Sequence, residues 1–162
     1  MFLFENPYTC CFTGHRIIDP AHRSRLSALL SQQLRRLIAQ GCYIFVAGGA
    51  LGFDMLAAET VLALRSEFPL IRLIVVAPCA DQTALWNESN VLRYERVRRA
   101  ANDYICLSAS YTPGCMAQRN HVLVDMSGVC VAYCLRTKSG SAQTIAYAQR
   151  QSLTIINLSD NL

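Results

Sequence analysis

The sequence predicts an α/β protein: a doubly wound, mostly parallel sheet with helices on both faces, Rossmann-like, in a single domain over residues 1–162. Strand-like and helix-like segments alternate along the whole chain. The strand-like segments are unbroken apolar runs, which is typical of parallel strands covered on both faces. A glycine-rich turn joins one such run to a helix, and open α/β sheets place ligands beside turns of this kind.

Each predicted strand is a short apolar run bounded by turn-forming residues. The predicted strands cover residues 8–13, 43–47, 71–77, 103–107, 128–135 and 153–158. Predicted helices lie between them, at about residues 19–40, 55–67, 81–101 (after a short loop), 116–126 and 142–150. Asp19 and Pro20 match the capping and first positions of the first helix, and Gly41 ends it.

Composition excludes several classes of protein. The chain is 52% hydrophobic and 16% charged, which is typical of a protein with a large core. No apolar run approaches the roughly 20 residues of a membrane span, and the N-terminus lacks the pattern of a signal peptide, so we expect a cytoplasmic protein. The eight cysteines lie mostly in apolar runs and form no CxxC pair, which favours reduced thiols. We expect no metal and no cofactor other than a nucleotide-type ligand.

The net charge of +4 is mild, but four arginines fall within one predicted helix, at Arg93, Arg96, Arg98 and Arg99. A solvated helix face is the favoured interpretation of this cluster, over a nucleic-acid-binding patch. Nucleic acid is therefore not expected as a partner, and neither is a membrane. The sequence leaves homo-oligomerisation open.

Ligands of open α/β sheets bind beyond the carboxyl ends of the strands. That rule selects the loops at residues 13–16, 48–54, 78–86 and 136–141. In the first loop, which comprises Thr13, Gly14, His15 and Arg16, glycine opens the backbone while the histidine and arginine supply donors. The planar fork of arginine suits phosphate, so we favour a ligand-binding role for this loop.

The second loop carries Gly48, Gly49 and Gly52, followed by Asp54. Glycines permit positive φ and let a ligand approach the bare backbone, although a tight turn without a ligand explains them equally well. Asp54 repels a phosphate directly above it. We therefore expect Asp54 either to cap the following helix or to accept a hydrogen bond from a sugar hydroxyl.

Two further features are candidate ligand groups. Ser139, Gly140 and Ser141 precede a predicted helix and suit an anion, although flexible loops have the same composition. Arg119 lies on the helix before the fifth predicted strand, where a surface position is favoured over a cation reaching across the sheet edge. Trp86 and Tyr94 have a spacing that favours core packing over a platform for base stacking.

The motifs together resemble the YpsA-like family of the SLOG superfamily of Rossmann-like proteins. The resemblance rests on TGHR at 13–16, GGALGFDMLAAE at 48–59, Pro78 with Trp86, and RNHVLVD at 119–125. The superfamily also holds the LOG phosphoribohydrolases, which release a base from a nucleoside monophosphate, and the DNA-processing protein DprA. The resemblance implies a pocket for a nucleotide or a nucleotide derivative.

Departures from the LOG pattern bear on catalysis. Where a Gly-Gly-Thr type phosphate loop is expected, this chain has Ser139-Gly140-Ser141, which keeps a hydroxyl. The LOG enzymes carry a catalytic glutamate shortly after that loop, and here Gln143 and Thr144 stand at the matching positions. A neutral amide cannot act as a carboxylate base. Arg119 matches the family's arginine, and Glu59 or Asp54 is the candidate replacement for the missing carboxylate.

The leading hypothesis is a module that binds a nucleotide or nucleotide-derived ligand at the carboxyl ends of the strands, with a sensor as its suggested role. The alternative is a nucleoside-monophosphate phosphoribohydrolase, with Arg119 and Glu59 as its candidate catalytic residues. The second alternative, ranked last, is binding of single-stranded DNA.

Overall fold

The computed structural model describes residues 8–162, whose strands form one six-stranded sheet with only parallel neighbours. The strands are β1 (Thr9–Gly14), β2 (Ile44–Ala47), β3 (Arg72–Ala77), β4 (Asp103–Cys106), β5 (Val129–Tyr133) and β6 (Thr154–Asn157). The helices are α1 (Arg23–Ala39), α2 (Phe53–Leu64), α3 (Glu88–Ala100), α4 (Cys115–Asp125) and α5 (Gly140–Arg150), and a 3₁₀ turn follows at Leu158–Asn161.

The strand order across the sheet is β4-β3-β2-β1-β5-β6. The chain winds outward from β1 to β4, then crosses back and adds β5 on the other side of β1. The topological switch point therefore lies between β1 and β5, where Thr13 is in register with Ala132 and Gly14 with Tyr133. Loops leaving neighbouring strands diverge at a switch point and leave a crevice there.

Side chains of the strands alternate between two buried layers. Phe12 and Phe45 face a layer that contains α1, α2 and α3, and the rings of these phenylalanines are stacked 6.2 Å apart. Their neighbours Cys11 and Val46 face the opposite layer, which contains α4 and α5. Both faces of the sheet are thus covered, which explains why the strands are apolar throughout. The predicted doubly wound α/β fold is confirmed.

Two predicted helix starts are wrong. Asp19 accepts a hydrogen bond from the Ala21 N–H at 2.9 Å and so stabilises a turn, while α1 begins later, at Arg23. Asp54 lies inside α2, whose N-cap is Gly52. The start of α2 is fixed by a backbone contact from elsewhere in the chain, because the Phe53 N–H donates to the carbonyl of His15 at 3.1 Å.

Trp86 and Tyr94 pack together in an edge-to-face arrangement with ring centroids 5.6 Å apart. Tyr94 is buried, and its hydroxyl lies 3.3 Å from that of Tyr104. The packing interpretation of this pair therefore holds. Within residues 8–162, no helix combines the length and the apolar character that crossing a membrane requires.

Candidate functional site

A cleft of about 460 Å³ opens beside the carboxyl ends of β1 and β5, at the switch point. Loops that are far apart in the sequence meet there. The predicted binding residues that line the cleft are Thr13, Gly14, His15, Arg16, Asp54, Arg119, Ser139, Gly140 and Ser141. The fold thus gathers most of the predicted residues around one cavity, and their binding roles stay predictions.

His15 joins the two loops that border the cleft. It is only 6% exposed, and its Nε2 accepts a hydrogen bond from the Leu135 N–H at 2.8 Å. This bond assigns the ring proton to Nδ1. Burial, and then the positive charge of Arg136, lower the pKa of His15 below its usual value. At neutral pH the ring is therefore an uncharged link between the loops after β1 and β5.

Arg119 forms part of the cleft lining although it is only 2% exposed, so the favoured surface interpretation is wrong. Its Nη1 donates to the carbonyl oxygens of Gly48, at 2.5 Å, and Val76, at 3.3 Å. Its Nε donates to Oδ1 of Asn120 at 2.9 Å. Nη2 makes no hydrogen bond with the part of the chain that the structure describes. The side chain thus ties α4 to the loop after β2 and to the end of β3.

Asp54 lies in the first turn of α2 and is 6% exposed. Burial raises the pKa of Asp54 to about 6, against the opposing effects of Arg119, the Ala50 backbone and Arg16. Burial also lowers the pKa of Arg119, and the charge of Asp54 opposes that shift. Arginine stays protonated in proteins, so the two side chains carry opposite charges near neutral pH, although they form no ion pair within 4 Å.

The third cleft element is the start of α5, which begins at Gly140. Ser139 is its N-cap, and its Oγ accepts a hydrogen bond from the Ala142 N–H at 3.1 Å. Ser141 is buried beside it. The first turn of a helix presents N–H groups without helical partners and the positive end of the helix dipole, which together suit an anion.

The glycines of the second loop are required by contacts within the protein. A Cβ atom at Gly48 would lie 2.5 Å from the Arg119 guanidinium, and one at Gly49 would lie 2.9 Å from the Tyr94 ring. A Cβ atom at Gly52 would lie 2.3 Å from the Arg16 carbonyl oxygen. Gly49 and Gly52 also have positive φ values of 70° and 80°. None of the three glycines lines the cleft. The residues of this segment that do line it are Ala50 and Asp54.

Glu59 is held by Arg93 in a two-bond ion pair in which Nε donates to Oε2 at 2.9 Å. It is not among the residues that line the cleft. Gln143 and Thr144 line an adjoining cavity of about 310 Å³ between α4 and α5. Of the carboxylates considered for catalysis, Asp54 is thus the one that the fold places in the cleft.

Sequence reasoning missed Arg136 and Asn120, which also line the cleft. Arg136 lies in a loop that the strand-end rule selected, and its charge was the available signal. Asn120 lies in the RNHVLVD motif at 119–125, but only its neighbour Arg119 was considered as a ligand group. The loop at residues 78–86 was selected by the same rule but does not line the cleft, because β3 is two strands from β1; Gln82 instead donates to the Gly48 carbonyl at 3.3 Å.

Metal-ligating side chains are not clustered in residues 8–162, where no three of histidine, cysteine, aspartate and glutamate are arranged to hold an ion. All eight cysteines lie in this range and are free thiols. Cys115, which directly precedes the predicted helix at residues 116–126, is buried at the first position of α4.

Solved structures similar to this one include two DNA-processing proteins. DprA from Helicobacter pylori, described for its single-stranded DNA binding mode, matches with a TM-score of 0.65 and 22% identity over 93% of this chain. DprA from Streptococcus pneumoniae matches with a TM-score of 0.65 and 14% identity over 91% of this chain. This chain spans 64% and 48% of those two proteins. Because a protein of this fold binds single-stranded DNA, the expectation against a nucleic-acid partner is wrong.

Relatives by sequence include an uncharacterised SPbeta prophage-derived protein, YoqJ, of Bacillus subtilis, 26% identical over 81% of this chain and 82% of the relative. A UPF0398 protein of Halalkalibacterium halodurans is 33% identical over 75% of this chain and 68% of the relative. The model of the YspA SLOG family matches residues 14–155, which include all the motifs that suggested this family except the first threonine of TGHR. This chain belongs to the YspA SLOG family.

Proposed function

We propose that this protein binds a nucleotide or a nucleotide-derived ligand in the cleft at the switch point. The observation that carries the proposal is the convergence of Arg16, Arg136 and the start of α5 on one cavity of about 460 Å³. Small-molecule sites typically have volumes of about 300 to 1,000 Å³. The arginines and the helix N-terminus all attract an anion, and the phosphate of a nucleotide supplies one.

The charges of the cleft suggest the orientation of the ligand. The phosphate belongs beside Ser139–Ser141, where Arg16 and Arg136 add positive charge. Asp54 repels phosphate but accepts hydrogen bonds well, so a sugar hydroxyl is the group that suits it. Binding of this kind fits a sensor as well as an enzyme.

The hydrolase alternative is less well supported. It requires a carboxylate near the sugar, and Glu59 is engaged by Arg93 outside the cleft lining. Asp54 would have to serve, but it is already opposed by the buried cation Arg119. Gln143, at the position of the missing glutamate, carries no charge.

Replacing Arg16 by alanine is expected to weaken binding of a nucleoside monophosphate by about 1.5–3 kcal/mol, because a charge-assisted hydrogen bond is lost. The Arg16 side chain is exposed and makes no hydrogen bond with residues 8–162, so the fold should persist. Calorimetric titration with purine and pyrimidine monophosphates measures the change. Arg36→Ala, which removes the same charge from an exposed site near the end of α1, is the matched control. Equal weakening by both variants would remove Arg16 from the site.

Single-stranded DNA is the second candidate, favoured by the likeness to the Helicobacter pylori protein. The arginines of α3 are poorly placed to carry it, because Arg93 is paired with Glu59, and Arg98 lies 3.6 Å from Glu95 and 4.4 Å from the centre of the Tyr104 ring. A strand is better served by the exposed arginines in and beside the cleft, Arg16, Arg23 and Arg136.

Three such arginines predict that log affinity for single-stranded DNA falls with log salt with a slope of about −2. The slope is measured by fluorescence anisotropy: a labelled oligothymidylate is titrated with protein at several salt concentrations between about 50 and 200 mM. Arg136→Ala should flatten it, whereas Arg99→Ala should not. Absence of binding at the lowest salt would dispose of this candidate and leave the mononucleotide proposal in place.

A further inference from the structure

A second cavity, of about 270 Å³, lies next to the cleft. Three arginines line it, Arg16, Arg23 and Arg93, together with Asn90. Arg16 and Ile17 line both cavities, so the two form one continuous surface. The chain thus brings cations from the loop after β1, from α1 and from α3 to a single place.

These cations are incompletely neutralised. Arg16 and Arg23 are exposed, and their guanidinium groups make no hydrogen bond or ion pair with any residue in the described range 8–162. Arg93 uses Nε and Nη2 to bind Glu59, which leaves its Nη1 without a partner in the same range. Like charges repel at short range, so an arrangement of this kind is at its most favourable when an anion lies between the cations.

The start of α1 adds to the positive potential. Arg23 is the first residue of this 17-residue helix, and no acidic side chain lies in its first turn. Cations near a helix N-terminus interact unfavourably with the helix dipole, and acidic residues are the usual choice there. The choice of arginine is therefore poor for the stability of α1, but it suits the binding of an anion.

Ile17 lines both cavities and is 80% exposed. A β-branched apolar side chain with this exposure contributes little to core packing. It does offer an apolar surface to the sugar or base that would connect two phosphate groups.

We infer that the second cavity binds a second phosphate group of the same ligand. The inference rests on the proposed binding of a nucleotide in the cleft. It narrows the ligand to a nucleotide that carries two phosphates, whether a nucleoside bisphosphate or a 5′-phosphorylated dinucleotide joined by a phosphodiester.

Four probes test this: thymidine 5′-monophosphate, thymidine 5′-diphosphate, thymidine 3′,5′-bisphosphate and the 5′-phosphorylated thymidine dinucleotide, each titrated by calorimetry. The bisphosphate or the dinucleotide should bind about tenfold or more tightly than the monophosphate, since it gains a charge-assisted contact, whereas the diphosphate, which only adds charge to the first phosphate, should not show this gain. Preference for the bisphosphate would identify a terminal second phosphate, and preference for the dinucleotide a phosphodiester.

Arg23→Ala should abolish that gain and leave monophosphate affinity unchanged, because Arg23 lines only the second cavity. Arg136→Ala, in the cleft alone, should weaken all four probes equally, and Arg36→Ala should weaken none. Monophosphate binding without a gain from any second phosphate, or equal loss for all probes in Arg23→Ala, would overturn the second site and spare the proposed function. If none of the four probes bound, both the second phosphate site and the proposed nucleotide binding would be overturned.

Discussion

Replacing Gly52 by alanine is expected to destabilise the fold by about 3 kcal/mol or more. The new Cβ atom would lie 2.3 Å from the carbonyl oxygen of Arg16 and 2.5 Å from that of His15. Both obstacles are backbone atoms and cannot turn aside. The φ of 80° at Gly52 adds strain for any residue with a Cβ atom. Urea-induced unfolding, followed by circular dichroism, measures the loss.

Gly114→Ala is the comparison variant, a substitution at positive φ without a close contact. Gly114 has nearly the same φ, 82°, but its Cβ position has no heavy atom within 4 Å. This variant should lose only about 1 kcal/mol, the strain of the left-handed backbone by itself. The difference between the two variants combines the close approach at Gly52 with its greater backbone strain, because ψ is −123° at Gly52 and −3° at Gly114. Equal losses of stability in the two variants would show that the close contact between the loop after β1 and the start of α2 does not contribute to the effect of Gly52→Ala.

The glycine loop shows what sequence can and cannot specify at a site. The pattern predicted that bare backbone is needed after β2, and the structure bears this out in its contacts with Arg119, Tyr94 and the carbonyls of His15 and Arg16. Whether the approaching group is a ligand or another part of the protein depends on contacts between distant segments. No local pattern carries that information.

The fold itself was predictable because its signals are local. Strands buried on both faces read as apolar runs, and helix periods fill the spaces between them. The place of the cleft followed from the strand-end rule, but the rule could not tell which loops would meet. That depends on strand order, which puts β1 beside β5 and leaves β3 two strands away. That residues 1–162 form a single domain stays a prediction.

The burial of Arg119 had a signal that its charge obscured. Cys115, Arg119 and Leu123 are spaced four residues apart on α4, and all three are buried. Residues with that spacing share one face of a helix, so the arginine stands where the pattern expects an apolar side chain. An arginine on the apolar face of a helix next to a strand-end cleft is therefore a candidate buried cation.

Replacing Arg119 by methionine is expected to destabilise the fold by about 3–5 kcal/mol near pH 8, because buried carbonyl groups lose their donor and the buried Asp54 carboxylate loses a nearby positive charge. Methionine fills much of the volume but cannot donate to the Gly48 and Val76 carbonyls. It also leaves the Asp54 carboxylate buried without its cation. Arg36→Met, at an exposed position, should stay within about 0.5 kcal/mol of wild type.

The pH dependence separates the two costs of Arg119→Met. Burial already raises the pKa of Asp54 to about 6, and losing Arg119 removes the main effect that lowers it, so that pKa should rise further. In the unfolded variant, Asp54 has an ordinary aspartate pKa. Between that pKa and the raised pKa of the folded variant, the folded state therefore binds more protons than the unfolded state, and the free energy of unfolding falls as the pH rises. The loss of stability relative to wild type should therefore be smaller when urea unfolding is measured at about pH 5, where Asp54 is protonated.

A double variant tests the same point. Asp54→Asn combined with Arg119→Met should recover part of the stability loss at about pH 8. A loss that is the same at both pH values, with no recovery in the double variant, would mean that the carbonyl contacts alone account for the role of Arg119.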